Sequence, residues 1–335
     1  MDFGILLTSV YDATTDARQQ RREHEELVAT AEQLGFGLMV AGQHFLGAEL
    51  RYFQPIPWLT HMAAHAPTMQ TATGIVLLSM VNPVDVAEQM ATLDVLTDGR
   101  AIFGVGLGYS AHEFAAFGVE PGTRVARFEE SLALVRALWS GDVVDFSGRF
   151  FSVAGARPAV RPLRKDGPPV WIGGQARTAV QRAARLGDAW YAPPFPTHTE
   201  LVELRRLFIE TRAAHDRPTT GDFPVRRELL IAPSRAVAMD AALQRYRARY
   251  ETYRKWGLSG ENTPVEQSGE QVRTDIEDRF LLGSASECAE QLERLRVDSG
   301  MTHFVFKPHW PGLPHAEAMR QLELFGTSVL PAVGR

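Results

Sequence analysis

Apolar and polar residues follow two different periods along this chain, and the two periods alternate about eight times. Short, nearly continuous apolar runs are typical of strands buried on both faces, whereas apolar residues at every third or fourth position indicate one face of a helix. The clearest unit has an apolar run at residues 75–81, inside a strand predicted within 71–83, and an amphipathic helix at 87–100. A second buried strand follows directly and ends in glycine. Asn82 and Pro83 end the first strand, and proline is tolerated in the first turn of the helix that follows.

This alternation predicts an α/β barrel. Strands are predicted at residues 3–9, 38–41, 75–81, 101–109, 169–174, 189–192, 228–232 and 303–307. Helices are predicted at residues 16–34, 58–64, 87–100, 124–139, 177–186, 199–215 and 235–256. Alternating strands and helices imply parallel pairing with right-handed crossovers, and eight units favour a closed (β/α)8 barrel, a TIM barrel, over an open sheet. We therefore expect the active site at the carboxyl ends of the strands.

Two segments interrupt the alternation. Residues 142–153 are predicted to form a hairpin that turns at Ser147 and Gly148, as an insertion in the ring of helices. Residues 257–280 are polar and aperiodic over most of their length, which indicates either a lid or a flexible, disordered insertion. Residues 1–335 are thus predicted to form a single barrel domain with these two insertions.

Composition restricts the class of protein. Of the 335 residues, 45% are hydrophobic and 22% are charged, which is ordinary for a globular protein. The net charge of −5 provides no basic surface for nucleic acid, so we expect no such partner. A single cysteine, Cys288, rules out an internal disulfide and suits the reducing cytoplasm. No signal peptide is apparent, and no apolar run approaches the roughly 20 residues that span a bilayer, so we expect no membrane partner.

Glycines concentrate where strands are predicted to end. Gly173 and Gly174 end the fifth strand directly before a helix, where backbone amides and the helix dipole can hold a phosphate, although a simple tight turn is the alternative. Residues 104–108, Gly-Val-Gly-Leu-Gly, place Gly106 and Gly108 at the mouth of the fourth strand. Their spacing is not the dinucleotide fingerprint, and small residues packed inside a narrow barrel would explain them as well. Two glycine-rich ends at one rim favour a phosphorylated cofactor.

Few side chains at these ends can carry chemistry. His44 follows the second strand, and histidine titrates near neutrality, which suits general acid–base work, although a lone histidine is often purely structural. Arg124 opens a helix and is either a phosphate ligand or a partner of acidic residues on its own helix. His61 and His65 are four residues apart but lack the accompanying catalytic glutamate pattern, so we predict no metal site.

Ordered motifs along the whole chain carry a family resemblance. They are the strand–helix–strand stretch at residues 73–109, the helix start at 124–130, Leu-Trp-Ser-Gly at 138–141, Pro-Pro-Val-Trp-Ile-Gly-Gly at 168–174 and Phe-Leu-Leu-Gly-Ser at 280–284. In this order they resemble the bacterial-luciferase-like family of flavin-dependent oxidoreductases, the luciferase-like monooxygenases. The resemblance implies a barrel of the bacterial luciferase type, with reduced flavin at the carboxyl ends of the strands.

The resemblance also implies roles for particular residues. The flavin phosphate is expected at Tyr109, Arg124 and the segment that comprises Gly173, Gly174 and Gln175. The flavin ring is expected on the third strand, where the family often has a non-proline cis peptide, here between Gly74 and Ile75, with Gly106 and Gly108 beside it. His44 is the candidate for the active-site histidine.

Two positions depart from the family pattern. Gln43 stands before His44, where many members have an acidic residue or a second histidine. Leu107 aligns with an arginine of the luciferases proper, so phosphate binding is expected to depend on backbone amides, Tyr109 and Arg124.

The resemblance favours a two-component monooxygenase. Such an enzyme receives reduced FMN from a separate flavin reductase and directs O2 at a small organic substrate, with His44 as hydrogen-bond donor to the peroxide or as proton shuttle. The alternative is an oxidoreductase that transfers hydride with a deazaflavin coenzyme and does not activate oxygen. A non-catalytic flavin-binding protein is a third hypothesis. Family members are commonly dimers, so a homodimer is expected.

Overall fold

The computed structural model describes residues 1–7, 11–47, 50–255, 269–309 and 313–333. The strands are β1 Asp2–Leu6, β2 Tyr11–Asp12, β3 Leu38–Ala41, β4 Leu50–Arg51, β5 Gln70–Thr73, β6 Val76–Leu77, β7 Ala101–Gly106, β8 Val144–Ser147, β9 Ser152–Ala156, β10 Val170–Gly173, β11 Ala189–Tyr191, β12 Pro224–Ile231, β13 Phe280–Gly283 and β14 His303–Phe306. The helices are α1 Ala17–Gln33, α2 Pro55–Ala63, α3 Pro83–Leu96, α4 Ala111–Ala116, α5 Arg124–Ser140, α6 Arg177–Leu186, α7 His198–Ala213, α8 Arg235–Lys255, α9 Gly269–Arg279, α10 Ala285–Ser299 and α11 His315–Leu324.

The main sheet is the predicted TIM barrel. Its strands are hydrogen-bonded in the order β11-β10-β7-β5-β3-β1-β14-β12-β13, and all of these neighbours are parallel. A parallel bridge between Ala192, directly after β11, and Val225 of β12 closes the ring of eight strands. The fold class predicted from the sequence is therefore confirmed.

Strand alternation divides the core into an interior and an outer layer. In β3, Leu38 and Val40 face the barrel interior, whereas Met39 and Ala41 pack in the layer beneath the helices. The interior is filled by apolar side chains, namely Leu6, Leu38, Val40, Ala72, Ile102, Trp171, Ala189, Tyr191 and Val305. Because the interior is packed with side chains, a ligand has to bind at the mouth of the barrel.

Local signals in the sequence explain several helix boundaries. Asn82 caps α3 by accepting a hydrogen bond from the backbone N–H of Val84, and Pro83 occupies the first turn. Ser284 and Glu287 form a reciprocal capping box at the start of α10. Gly300 ends that helix in the left-handed region at φ 69°.

The apolar run at 75–81 is mostly not a strand, which corrects the sequence prediction. The third barrel strand is β5, Gln70–Thr73, and only Val76–Leu77 of the run pairs with β7, as β6. The run is apolar because most of it is buried at the barrel rim, where Leu77 and Met80 pack against Phe114. Burial without regular pairing produces the same apolar run as a buried strand.

The seventh strand begins earlier than predicted and has an additional neighbour. Residues 224–227 of β12 pair with β14, whereas residues 228–231 pair with β13, which stands outside the ring of eight. The predicted strand at 228–232 therefore covers only the second half of β12, which pairs with β13 outside the ring of eight.

The predicted lid at 257–280 is wrong for its last twelve residues. Residues 269–279 form α9, and Phe280 begins β13. Ile276, Phe280 and Leu282 pack into a cluster with apolar residues of β12 and α8, so this segment is part of the fold. Residues 257–268 of the predicted lid lie outside the described residues, as do residues 8 and 9 of the predicted first strand.

The second predicted insertion lies between α5 and β10. There β8 and β9 pair antiparallel, with Phe146 opposite Val153 and an irregularity between Val144 and Phe146. That residues 1–335 form a single domain stays a prediction. Within the described ranges, no helix is long and apolar enough to cross a membrane.

We expect His309 to make the protein less stable in acid. Its ring is buried and stacks on Tyr11 with the centroids 4.7 Å apart, and burial lowers the pKa of His309 to about 3. In the unfolded chain histidine titrates near 6.5, so between pH 6.5 and 3 the unfolded state binds the extra proton. This stabilisation is therefore fully present above pH 6.5, and the free energy of unfolding falls by about 1.4 kcal/mol per pH unit of acidification in that window.

Urea unfolding at pH 7, 6 and 5 would measure this slope. His309→Phe keeps a ring against Tyr11 and is expected to flatten the slope by the contribution of one proton. His112→Gln, at an exposed position, is the control and should leave the slope unchanged. Equal slopes in the wild type and His309→Phe would contradict the assignment.

Candidate functional site

The candidate active site is centred on a histidine backed by a buried carboxylate. His44 follows β3, and its Nδ1 lies 3.2 Å from Oε1 of Glu113 on α4. The same Oε1 accepts a hydrogen bond of 2.7 Å from the backbone N–H of Phe45. Glu113 is buried, and its Oε2 has no hydrogen-bond partner within the described ranges. A carboxylate held in this way fixes the orientation of the imidazole.

Two glutamines position the backbone of His44. Oε1 of Gln43 accepts a hydrogen bond from the backbone N–H of Leu77, and its Nε2 donates to Oε1 of Gln54. Nε2 of Gln54 in turn donates to the carbonyl of His44 at 3.2 Å. Gln43, which departs from the acidic residue of the family pattern, thus has a structural role here.

Aromatic rings surround the His44 imidazole. The ring of Tyr52 meets it edge-on with the centroids 4.8 Å apart, and the ring of Tyr109 does so at 5.8 Å. The imidazole is about one-quarter exposed, so a ligand at the barrel mouth can reach it. Tyr109, which the resemblance assigned to the phosphate, therefore lies beside the histidine and is largely exposed.

A break in the third strand creates an apolar surface at the mouth. The hydroxyl of Thr73 both accepts from the backbone N–H of Gly104 and donates to its carbonyl, at 2.8 Å each, so these buried groups stay paired where β5 ends. The next peptide bond, between Gly74 and Ile75, is cis, where the resemblance predicted one. Ile75 then lies over two glycines, because a Cβ on Gly106 would meet its Cδ1 at 2.0 Å and a Cβ on Gly173 would meet its Cγ2 at 3.2 Å.

The start of α6 has the features of a phosphate cradle. Gly174 has φ 153°, and a Cβ there would lie 2.6 Å from Cβ of Ala179. Ala176 precedes the helix and offers no side-chain cap, which leaves first-turn amides for a ligand. Oε1 of Gln175 is buried without a hydrogen-bond partner among the residues described. Nε1 of Trp190 donates to the carbonyl of Gly174 and holds the turn in place.

Two of the predicted site residues, Arg124 and Gly108, make their contacts outside this cradle. Arg124 begins α5, and its guanidinium donates to the carbonyl of Pro121. Within the described part of the chain, no hydrogen bond or ion pair joins Arg124 to the other predicted site residues. Gly108 has φ 75°, and a Cβ there would meet Cε of Met80 at 2.4 Å. The glycine is required by backbone conformation and by close packing.

Sequence reasoning missed Glu113 as a site residue and a polar group at the base of the site. Tyr191 lies against Gly74, its hydroxyl is buried without a partner in the described part of the chain, and burial raises the pKa of Tyr191 to about 12. Nearby, Arg226 pairs with the buried Glu228 at 2.8 Å. Glu228, a charged residue in a predicted strand, was a usable signal. The contact between His44 and Glu113 was concealed because the two residues are 69 positions apart in the sequence.

A cleft adjoins the barrel mouth. It has a volume of about 530 Å³ and is lined by residues of the His44 loop, α2, α3 and α5, among them Gln43, Phe45, Asp85 and Arg127. None of the ten residues predicted for the site lines it. The His44 loop reaches this cleft through Gln43 and Phe45, and the buried carboxylate of Glu113 lies directly behind the His44 imidazole.

Comparisons with known proteins agree with this geometry. The family profile described as luciferase-like monooxygenase matches residues 1–303. An F420-dependent glucose-6-phosphate dehydrogenase of Rhodococcus erythropolis is 28% identical over 325 residues, which cover 92% of this chain and 93% of the relative.

Solved structures share the fold at lower identity. The monooxygenase RslO1 from Streptomyces bottropensis superposes with a TM-score of 0.85 at 22% identity and 99% coverage of both chains. The oxygenating constituent of 3,6-diketocamphane monooxygenase from Pseudomonas putida, in complex with FMN, has a TM-score of 0.82 at 17% identity, over 100% of this chain and 99% of that chain. With a profile match over most of its length and the barrel in common, this chain belongs to the luciferase-like monooxygenase family.

Proposed function

We propose that this protein is a deazaflavin-dependent oxidoreductase that oxidises an alcohol carbon of a small organic substrate. The observation that carries the proposal is the His44–Glu113 pair, an imidazole at the barrel mouth with a buried carboxylate 3.2 Å behind it. Oxidation of an alcohol requires a base for the hydroxyl proton, and a carboxylate-backed histidine is suited to that task. The sequence relative that is named F420-dependent supports the same choice of coenzyme.

The residues at the mouth fit such a coenzyme. The uncapped start of α6, with Gly174 before it and first-turn backbone amides, would hold a phosphate. The surface formed by Ile75 over Gly106 and Gly173 would support a flat ring system. When bound, the deazaflavin supplies the acceptor for the hydride that leaves the substrate carbon.

The His44–Glu113 pair would handle the proton. Nδ1 of His44 faces Glu113, so Nε2 is the nitrogen that would accept the hydroxyl proton from the substrate. The negative carboxylate stabilises the resulting imidazolium, and Phe45 fixes the carboxylate from the other side. Tyr52 and Tyr109 pack edge-on against the imidazole and narrow the approach to it.

A monooxygenase that uses reduced FMN from a reductase, as the sequence favoured, is the second candidate. The phosphate cradle and the apolar surface on Ile75 would accept FMN as well, because both coenzymes carry a phosphate and a flat ring system. A deazaflavin-dependent oxidoreductase, in contrast, requires neither a flavin reductase nor O2. A homodimer is proposed in either case.

We expect the protein to bind a deazaflavin more tightly than FMN. Fluorescence titration of the purified protein with F420 and with FMN measures both affinities. Turnover is then assayed with a panel of alcohols and sugar phosphates, with and without O2. F420 reduction that is indifferent to O2 supports the proposal. Oxygen-dependent product formation with reduced FMN, and no F420 reduction, would identify the second candidate instead.

The His44–Glu113 pair is expected to contribute to the reaction rate more than to coenzyme binding. His44→Ala should lower kcat by roughly 10²–10⁴-fold, the usual contribution of a positioned base. Glu113→Gln keeps a hydrogen-bond acceptor for Phe45 but removes the charge behind the imidazole, so kcat should fall in this variant too. His112→Ala, at an exposed neighbouring position, is the matched control. An unchanged kcat in His44→Ala rules out this base.

A side chain at Gly106 should weaken coenzyme binding, because Ile75 lies directly over this glycine. In Gly106→Ala the new methyl group must displace Ile75, which costs about 1–3 kcal/mol and should weaken coenzyme binding by about tenfold or more. Gly37→Ala is the matched control, since nothing lies within 4 Å of a Cβ at that position. Binding is measured by fluorescence titration, and equal affinities in the two variants would remove Ile75 from the site.

A further inference from the structure

The two outer helices α1 and α2 bring together three side chains of types that commonly bind metal ions. Glu25 lies on α1, His61 lies on α2, and His65 follows α2. Nε2 of His61 is 2.6 Å from Oε1 of Glu25, and Nε2 of His65 is 3.6 Å from the same oxygen. The three ligand atoms lie within 4.8 Å of one another, and both histidines are exposed.

This geometry is close to what a zinc ion requires. Zinc binds imidazole nitrogen and carboxylate oxygen at about 2.0–2.2 Å, which places tetrahedral ligand atoms about 3.3 Å apart. The observed separations of 2.6 and 3.6 Å bracket that value. His65 lies in the turn directly after α2, four residues beyond His61, and the two imidazole ring centroids are 5.2 Å apart.

We propose that Glu25, His61 and His65 form a three-ligand Zn²⁺ site that links α1 to α2. The sequence did not predict it because Glu25 precedes His61 by 36 residues. Zinc would replace the proton shared by His61 and Glu25, and water would fill the remaining coordination position. Arg21, which also pairs with Oε1 of Glu25, would turn to the other carboxylate oxygen or to solvent.

The second imidazole distinguishes this cluster from other histidine–carboxylate pairs on the surface. His198 lies 2.9 Å from Asp298, and His315 lies 2.9 Å from Glu26. Neither pair belongs to a three-ligand group within the described ranges. A site with one imidazole and one carboxylate holds zinc weakly, so these pairs serve as internal controls.

The experiment is Zn²⁺ titration by calorimetry on the full chain, purified without a histidine tag and stripped with a chelator. The wild type should bind Zn²⁺ at a saturable site. His61→Ala, His65→Ala and Glu25→Gln should each weaken that binding by at least about tenfold, since even outer-shell changes cost 10–100-fold. His198→Ala is the matched control and should bind as the wild type does.

Thermal melting with and without Zn²⁺ provides a second readout. Zinc should raise the melting temperature of the wild type and of His198→Ala, because a ligand bound only by the folded state stabilises it. It should not raise that of His65→Ala, whose exposed side chain can be removed without unfolding the chain. The proposal is overturned if the wild type has no saturable zinc site, or if the three ligand variants bind zinc as tightly as His198→Ala.

Discussion

The contact between Thr73 and Gly104 is the constraint on which the rest of the site depends. A Cβ on Gly104 would lie 1.7 Å from the carbonyl oxygen of Thr73, so no side chain fits between these strands. The Thr73 hydroxyl instead satisfies both backbone groups of Gly104, which allows β5 to end without leaving buried polar groups unpaired. The chain can then turn at Gly74 and place Ile75 across the mouth.

The same break in the strand positions the histidine. After Ile75 the chain resumes pairing as β6, and the N–H of Leu77 binds Gln43. Gln43 and Gln54 then hold the backbone that carries His44. The apolar surface and the His44–Glu113 pair therefore depend on one local arrangement, although their residues come from four separate parts of the chain.

In the proposed function, coenzyme binding and proton transfer fall on different strands of the barrel mouth. Backbone amides and small residues at the fifth strand suit a phosphate and a flat ring, which a deazaflavin and FMN have in common. The carboxylate-backed imidazole at the second strand is the group that suits proton removal from an alcohol. A family can therefore change its reaction by changing the loop after the second strand and the helix that contacts it, while the phosphate cradle stays the same.

Periodicity and local signals in the sequence by themselves determined the parallel barrel, the ends of α1, α5, α6, α7 and α8 to within two residues, and the glycine-rich ends of strands four and five, because these depend on near neighbours. The sequence also indicated His44 and the bond between Gly74 and Ile75 through family motifs. Only the tertiary structure decided that residues 75–81 are buried rim rather than strand, that residues 269–280 are folded, and that Glu113 meets His44. Those outcomes depend on contacts between residues distant in sequence, which no local period records.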